Sequence, residues 1–158
     1  KPGYAPKITD RSNYSVLFAS DSSDYSVYAS NNIGKFLDKE RAKINLINVM
    51  ANIYEIIPPD AYAYIDTEKI IHEAKMVSLE VIRDSAVNIA KQKFDIENKY
   101  SLTGDPASVI IEQSEKIKAD LAVLGSHGKT GISNRLIGSV SSDVYEHSKI
   151  PVLIIKKG

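Results

Sequence analysis

Residues 124–131, LGSHGKTG, contain the residue types that bind phosphate groups. Gly128-Lys129-Thr130 has the form of the end of a P-loop, in which backbone N–H groups and a lysine hold the phosphates of a nucleotide. That motif would place its first glycine at position 123, which is Val123, and the dinucleotide fingerprint G-x-G-x-x-G is also absent. The spacing therefore excludes both motifs.

A different glycine spacing is present. Gly125 and Gly128 are separated by two residues, and Gly138 follows after nine more, with Ser139 next to it. Gly138 falls inside an amphipathic helix pattern, where glycine costs about 1 kcal/mol relative to alanine, so we expect another group to approach its backbone closely. With the hydroxyl residues of the run GSVSS, the pattern predicts either an anion cradle of backbone N–H groups or a tight turn with a close helix contact.

Apolar runs and amphipathic segments follow one another in turn along the chain, and they predict the strands and helices that position these glycines. The apolar runs are of strand length and mostly do not alternate, which is typical of strands covered on both faces. They occupy residues 15–19, 44–49, 121–124 and 152–155, with a weaker alternating run at 96–102. Helical periodicity covers 22–38, 67–94, 105–117 and 133–148. The strict succession of strand and helix along the chain predicts a single-domain α/β doubly wound sheet.

The apolar positions of the helices predict their buried faces. The stripe of 67–94 begins at Ile70 and includes Val77, and that of 133–148 begins at Ile137. Asp105 and Pro106 predict an N-cap and a first helical residue. Segment 51–66, with two prolines and three tyrosines, is either a surface loop that packs on itself or a flap beside a ligand site.

Composition limits the class of protein. The chain has 158 residues, with 20 Lys plus Arg and 20 Asp plus Glu. This balance argues against nucleic acid or an acidic membrane as partner, and no apolar run approaches the roughly 18 residues of a membrane span. The absence of cysteine and of a signal pattern fits a cytoplasmic protein. Residues 1–13 are expected to form a flexible leader before one domain at 14–158.

Two further residues could carry chemistry. Asp21 follows the first apolar run and is either a ligand contact or a helix N-cap, a role that Ser22 or Ser23 could also fill. His127 could be a metal ligand or a general base, but no spacing pairs it with another histidine or carboxylate, which favours a loop or phosphate-contacting role. No Ser-His-Asp constellation can be argued.

The pattern G-x2-G-x9-G-[ST], formed by Gly125, Gly128, Gly138 and Ser139, resembles the ATP-binding signature of the universal stress protein family. A first strand that ends in Asp21, the Gly-Asp-Pro run at 104–106 and the segments 119–128 and 149–156 are also similar. The resemblance covers nearly the whole chain from about residue 14.

This resemblance implies a five-stranded parallel sheet in the order 3-2-1-4-5, with helices on both faces, of the adenine nucleotide alpha hydrolase-like class. Ligands of such sheets bind where the strand order reverses. By family analogy, Asp21 and the backbone around Val49 hold adenine and ribose. The residues that line the phosphates would be Gly125, His127, Gly128, Gly138, Ser139, Val140 and Ser141, with Lys129 adding charge. Ser22 stands where the family commonly has glycine, and it either caps the first helix or narrows the pocket.

The resemblance also implies a function. The chain is expected to bind ATP, ADP or AMP with Mg²⁺ and to act on an unknown downstream protein as a sensor or regulator rather than as a fast enzyme. Lys129 and Arg135 are the cations near the cradle, and no clear water-positioning carboxylate accompanies them. A slow ATP hydrolase or phosphotransferase, and a dimerisation module with an empty or different ligand site, remain open alternatives. An apolar final strand at a sheet edge predicts a homodimer through 151–156.

Overall fold

The computed structural model describes residues 12–128 and 137–157. Five parallel strands form one sheet in the order β3-β2-β1-β4-β5. They are β1 (Tyr14–Ala19), β2 (Ala42–Met50), β3 (Asp95–Thr103), β4 (Leu121–Gly125) and β5 (Val152–Ile155). The predicted sheet and its strand order are confirmed, including the weakly predicted strand at 96–102.

Helices connect successive strands. They are α1 (Asp24–Asn32), α2 (Ile53–Ile56), α3 (Thr67–Ala90), α4 (Pro106–Lys116) and α5 (Ser139–His147), with 3₁₀ turns at Ile33–Lys35 and Pro59–Tyr64. Asp105 caps α4 through the Ser108 N–H, and Pro106 takes the first helical position as predicted. None of the helices within the described ranges is long and apolar enough to cross a membrane.

Apolar side chains alternate between the two faces of the sheet and form two cores. Val16 and Phe18 of β1 pack in one core with Ile89 of α3, whereas Leu17 packs in the other with Val144 of α5. The first core also holds Ala29 of α1 and the second Ile110 of α4, so helices cover both faces. Val16, Leu17 and Phe18 are fully buried, which explains why the sequence of β1 does not alternate.

The two edges of the sheet differ in character. Edge strand β3 exposes Asp95, Glu97 and Lys99. Edge strand β5 is apolar, and Val152, Leu153 and Ile154 are only partly buried. Charged edges resist pairing with another sheet, whereas apolar edges favour it.

Three helix predictions were partly wrong: those of α1 and α5 in their extent, and that of α3 in which apolar residues it buries. α1 ends at Asn32, so Phe36 lies outside it and is 53% exposed. The first half of α3 buries no residue before Ser78, and Ile70 and Val77 are exposed. The Ser78 hydroxyl lies 2.6 Å from Ser101 Oγ, two residues before the end of β3, so the turns of α3 that precede Ser78 extend toward and past the carboxyl edge of the sheet.

The last helix was also misplaced. α5 begins at Ser139, and Gly138 is its N-cap residue with an extended backbone rather than a residue of the helix interior. Ile137 precedes the helix and is 37% exposed, so it is not part of the buried stripe. Residues 129–136 and 1–11 lie outside the described residues, and the predicted leader at 1–13 stays a prediction.

Segment 51–66 folds on itself. The Tyr62 hydroxyl donates to the Tyr54 carbonyl at 2.9 Å, and the two rings meet edge to face at 5.7 Å. Tyr54 and Tyr64 are exposed. These contacts favour the surface-loop interpretation, and a flap role stays a prediction.

Candidate functional site

Three connections meet at the carboxyl edge of the sheet between β1 and β4. One follows β1 at residues 20–23, the second follows β4 at 126–128, and the third precedes α5 at 137–138. Strand order reverses at this point, since β2 follows β1 on one side and β4 lies on the other. Such switch points are where open α/β sheets bind small ligands.

The carboxylate of Asp21 is oriented by Ser23. Asp21 Oδ1 accepts from the Ser23 N–H at 2.9 Å and from the Ser23 hydroxyl at 2.5 Å. Ser23, not Asp21 or Ser22, is the N-cap of α1, because its Oγ accepts from the Ser26 N–H. Asp21 therefore does not cap α1, and its Oδ2, rather than the engaged Oδ1, is the oxygen available to accept from a ligand.

A buried group of serines fixes the backbone beside Asp21. The Asp21 N–H donates to Ser26 Oγ at 3.1 Å, and Ser20 Oγ is linked to Ser26 Oγ at 3.0 Å and to Ser85 Oγ of α3 at 2.5 Å. Asn48 Nδ2 of β2 donates to the Ser20 carbonyl at 2.7 Å. The end of β1 is thus tied to α1, α3 and β2.

The glycines allow backbone segments to approach each other closely. A Cβ at Gly125 would lie 2.8 Å from the carbonyl carbon of Tyr25 and 2.9 Å from the Ser26 nitrogen, both backbone atoms of α1. A Cβ at Gly128 would lie 3.0 Å from Asp21 Oδ2. The predicted meeting of the Asp21 and Gly125 motifs is therefore seen in the structure.

Gly138 joins the start of α5 to the connection after β4. Its N–H donates to the Ser126 carbonyl at 2.7 Å, and a Cβ on it would lie 3.1 Å from His127 Cα and 3.5 Å from Gly128 N. The close backbone approach predicted at Gly138 is present, although it occurs at the helix cap.

The first turn of α5 presents the backbone N–H groups of Ser139, Val140 and Ser141, which have no acceptor within the helix. The Ser141 hydroxyl donates to the Gly125 carbonyl at 2.8 Å, so this side chain holds α5 against β4. The positive end of the helix dipole points from this turn toward the glycine connections. Backbone groups at a helix start are the donors that bind anions in many proteins.

His127 is buried in the second connection. Its ring lies 4.8 Å from the Tyr25 ring and its Nδ1 is 3.1 Å from Ser126 Oγ. The His127 carbonyl oxygen lies within hydrogen-bond distance of the Ser23 hydroxyl, at 3.2 Å. The backbone of His127 therefore links the first connection to the second, and a phosphate contact by its side chain stays a prediction.

Val49 lies where β2 continues past the end of β1. Ala19, the last residue of β1, pairs with Ile47, and the Ser20 N–H donates to the Ile47 carbonyl at 2.9 Å. Backbone groups alternate in direction along a strand, so those of Val49 point to the same side as those of Ile47. They therefore face the space beyond β1, beside Asp21.

Lys129 and Arg135 lie outside the described residues. Within residues 12–128 and 137–157, no three His, Asp or Glu side chains are grouped so that they could hold a metal ion.

The sequence pattern did not single out Ser20, Ser26, Ser85 or Tyr25, and it left the role of Ser23 open. The run SDSSDYS at 20–26 carries an available signal, because small hydroxyl residues around a strand end favour local bonds to the backbone. Ser85 lies far along the chain in α3, and only the packing of that helix brings it to the site.

These features define a doubly wound α/β protein with a candidate ligand site at the switch point of its sheet. The chain matches the model of the Universal stress protein family over residues 14–156. It belongs to the universal stress protein family.

Individual relatives agree with this assignment. The chain is 31% identical over 146 residues to Universal stress protein MJ0531 of Methanocaldococcus jannaschii, covering 90% of this chain and 81% of that protein. A universal stress protein solved in complex with cAMP is 26% identical, with a TM-score of 0.62 over 92% of this chain and 98% of that one. Universal stress protein UspA from Lactobacillus plantarum shares the fold, with a TM-score of 0.74 at 19% identity over 92% and 99% of the two chains.

Proposed function

We propose that residues 14–158 form an adenine nucleotide-binding domain that takes ATP, ADP or AMP and acts as a regulator or sensor in a stress response. One observation carries this proposal: the Asp21 carboxylate, two glycine-lined connections and the start of α5 meet at one switch point. The cAMP complex of a universal stress protein that is 26% identical supports the ligand class.

The phosphates are assigned to the side of the site formed by backbone. Gly128 and the first turn of α5 supply N–H donors, and glycine at 128 and 138 lets the two backbone segments lie close enough to present these donors to one phosphate group. Lys129 adds a charge at the outer phosphates in this proposal, and Mg²⁺ would be carried mainly by phosphate oxygens.

The adenosine part is assigned to Asp21 and Val49. A backbone N–H and carbonyl at Val49 can pair with the N1 acceptor and N6 amino donor of adenine, whereas guanine presents the opposite pattern. Asp21 accepts from ribose hydroxyl or amino groups. This arrangement predicts preference for adenine over guanine nucleotides.

A regulatory role is favoured over rapid turnover. Phosphoryl transfer needs a positioned water or acceptor and a strong electrostatic clamp. The described residues of the site supply oriented backbone donors, and Asp21 Oδ1 is already engaged by Ser23. We assign the protein to the cytoplasm, which the absence of cysteine supports.

We also propose that two copies pair through residues 151–156. β5 is an edge strand whose apolar side chains are only partly buried in the single chain. Antiparallel pairing with a second β5 would cover these side chains and would provide partners for the backbone N–H and C=O groups of the edge strand. Light scattering with size-exclusion chromatography at tens of micromolar should give a dimer, and Leu153→Lys should give a monomer; a wild-type monomer would contradict this proposal.

The test of nucleotide binding begins with the protein as purified. We expect nucleotide released by denaturation to be adenine nucleotide near one per chain, and calorimetric titration of emptied protein with Mg-ATP to show one site. Gly138→Val should abolish both the co-purified nucleotide and the binding of Mg-ATP, because its side chain would meet the His127 backbone. Gly34→Val is the matched control, because Gly34 lies in the 3₁₀ turn after α1 and its new side chain would meet Gln92 and Phe94. It should lower stability without loss of nucleotide binding.

The outcomes separate the alternatives. Binding of Mg-ATP with ADP accumulating in a single-turnover assay would favour the slow hydrolase. Failure of millimolar ATP to bind or to raise Tm would overturn nucleotide binding and leave the dimerisation module, because a ligand of the native state must stabilise it.

A further inference from the structure

Ser23 lies between the two sides of the candidate site. Its hydroxyl is 2.5 Å from Asp21 Oδ1 and 3.2 Å from the His127 carbonyl oxygen, and it accepts from the Ser26 N–H at 3.1 Å. The residue is 7% exposed, so water competes little for these contacts. The hydroxyl therefore touches both the group assigned to adenosine and the connection assigned to phosphate.

A serine hydroxyl has one proton to donate. Both Asp21 Oδ1 and the His127 carbonyl are acceptors, so Ser23 can donate fully to only one of them at a time. The shorter contact is to Asp21, which also accepts from the Ser23 N–H. Charged acceptors form the stronger bond, so the proton belongs to Asp21 in the arrangement described here.

The His127 carbonyl controls the direction of a phosphate donor. His127 C=O and the Gly128 N–H belong to the same planar trans peptide, so they point in opposite directions. Gly128 N lies 3.5 Å from the position a Cβ on Gly138 would occupy, beside the start of α5. A bond from Ser23 to the His127 carbonyl thus holds the Gly128 N–H in one orientation.

We propose that Ser23 is a positioning residue that couples the adenosine and phosphate parts of the ligand through this single proton. A ligand donor at Asp21 weakens the carboxylate as an acceptor for Ser23. Rotation of the hydroxyl then moves the proton to the His127 carbonyl and fixes the Gly128 N–H for phosphate. The proposal rests on the proposed nucleotide binding, and it adds that adenosine binding prepares the phosphate side.

The test compares adenosine with Mg-ATP by calorimetry in the wild type and Ser23→Ala. The gain in affinity from adenosine to ATP should fall about tenfold in Ser23→Ala, and Ser23→Thr, which keeps a hydroxyl, should restore it. Equal weakening of both ligands, or no change in either, would overturn the coupling while leaving nucleotide binding intact. A wild type that binds neither probe would overturn both proposals.

A second measurement reports on the orientation of the peptide between His127 and Gly128. Adenosine, which has no phosphate, should shift the Gly128 amide resonance in ¹H–¹⁵N spectra of the wild type but not of Ser23→Ala. A shift of equal size in both proteins would contradict the proposal.

Controls separate this effect from loss of the helix cap. Asp105→Ala removes the N-cap of α4 and should leave the adenosine-to-ATP ratio unchanged. Ser23→Gly keeps a residue tolerated at N-caps and should repeat the effect of Ser23→Ala; retention of the wild-type ratio in this variant would overturn the proposal.

Discussion

The two sides of the candidate site are built from different kinds of group. Around Asp21, side-chain hydroxyls of Ser20, Ser23 and Ser26 form the contacts. Around Gly125 and Gly138, backbone meets backbone so closely that a Cβ would lie 2.8 Å and 3.1 Å, respectively, from the nearest backbone atom. Hydroxyl contacts can be removed one at a time, whereas a new Cβ on the glycine side must move an entire segment.

This difference predicts that substitutions on the two sides change different properties. On the glycine side they should lower the stability of the fold together with ligand affinity. On the hydroxyl side they should produce smaller and separable changes. Each prediction below tests one part of this contrast, from the largest expected effect to the smallest.

Gly125→Ala should destabilise the protein by about 3 kcal/mol, because the new Cβ would press on the backbone of Tyr25 and Ser26 and separate α1 from β4. Urea denaturation followed by circular dichroism measures this loss as a lower midpoint at unchanged slope. Gly34→Ala is the matched control, and it should lose about 1 kcal/mol because its Cβ would meet the side-chain oxygen of Gln92 rather than a backbone segment. Equal losses of unfolding free energy in the two variants would contradict the idea that a Cβ costs more against backbone than against a side chain.

Ser85→Ala should lower the free energy of unfolding by about 1.5 kcal/mol, because it removes a buried partner of Ser20. A double-mutant cycle with Ser20→Ala should give a coupling energy of about 1 kcal/mol between the two hydroxyls. Additive losses would show that α3 does not support the end of β1 through this contact.

Asp105→Ala should lower stability at neutral pH by about 1 kcal/mol, through loss of the N-cap of α4. The Ser108 backbone N–H, and then its hydroxyl, lower the pKa of the Asp105 carboxyl by hydrogen bonding to the carboxylate. This stabilisation is present above the unfolded pKa of about 4 and is lost as pH falls through the folded pKa.

Denaturation of wild type and Asp105→Ala at pH 7 and pH 3 measures that dependence. The difference in the free energy of unfolding between the two proteins should be smaller at pH 3 than at pH 7. A constant difference would mean that the cap acts without the charge.

The fold was predictable because its signals are local and repeated. Buried parallel strands such as β1 carry uninterrupted apolar runs, and Asp105-Pro106 marks a helix start. The meeting of Asp21 with Gly125 and Gly128 followed from the strand order implied by the family resemblance.

The errors arose where tertiary packing decides the structure. Periodicity placed Gly138 inside a helix, but its backbone is held by the Ser126 carbonyl and packs on His127, so the helix starts one residue later. Ile70 fits the apolar stripe of α3, yet the helix extends beyond the sheet there. The bond between Ser23 and His127 joins residues 104 positions apart, which no local pattern could indicate.

The unequal edges of the sheet set a limit on stoichiometry. Pairing through β5 would leave a β3 strand at both ends of the joined sheet, each exposing Asp95, Glu97 and Lys99. These charged side chains oppose the addition of a further strand. In the proposed dimer, association through β5 would therefore stop at two copies, and a rise in protein concentration would complete dimer formation without starting a fibre.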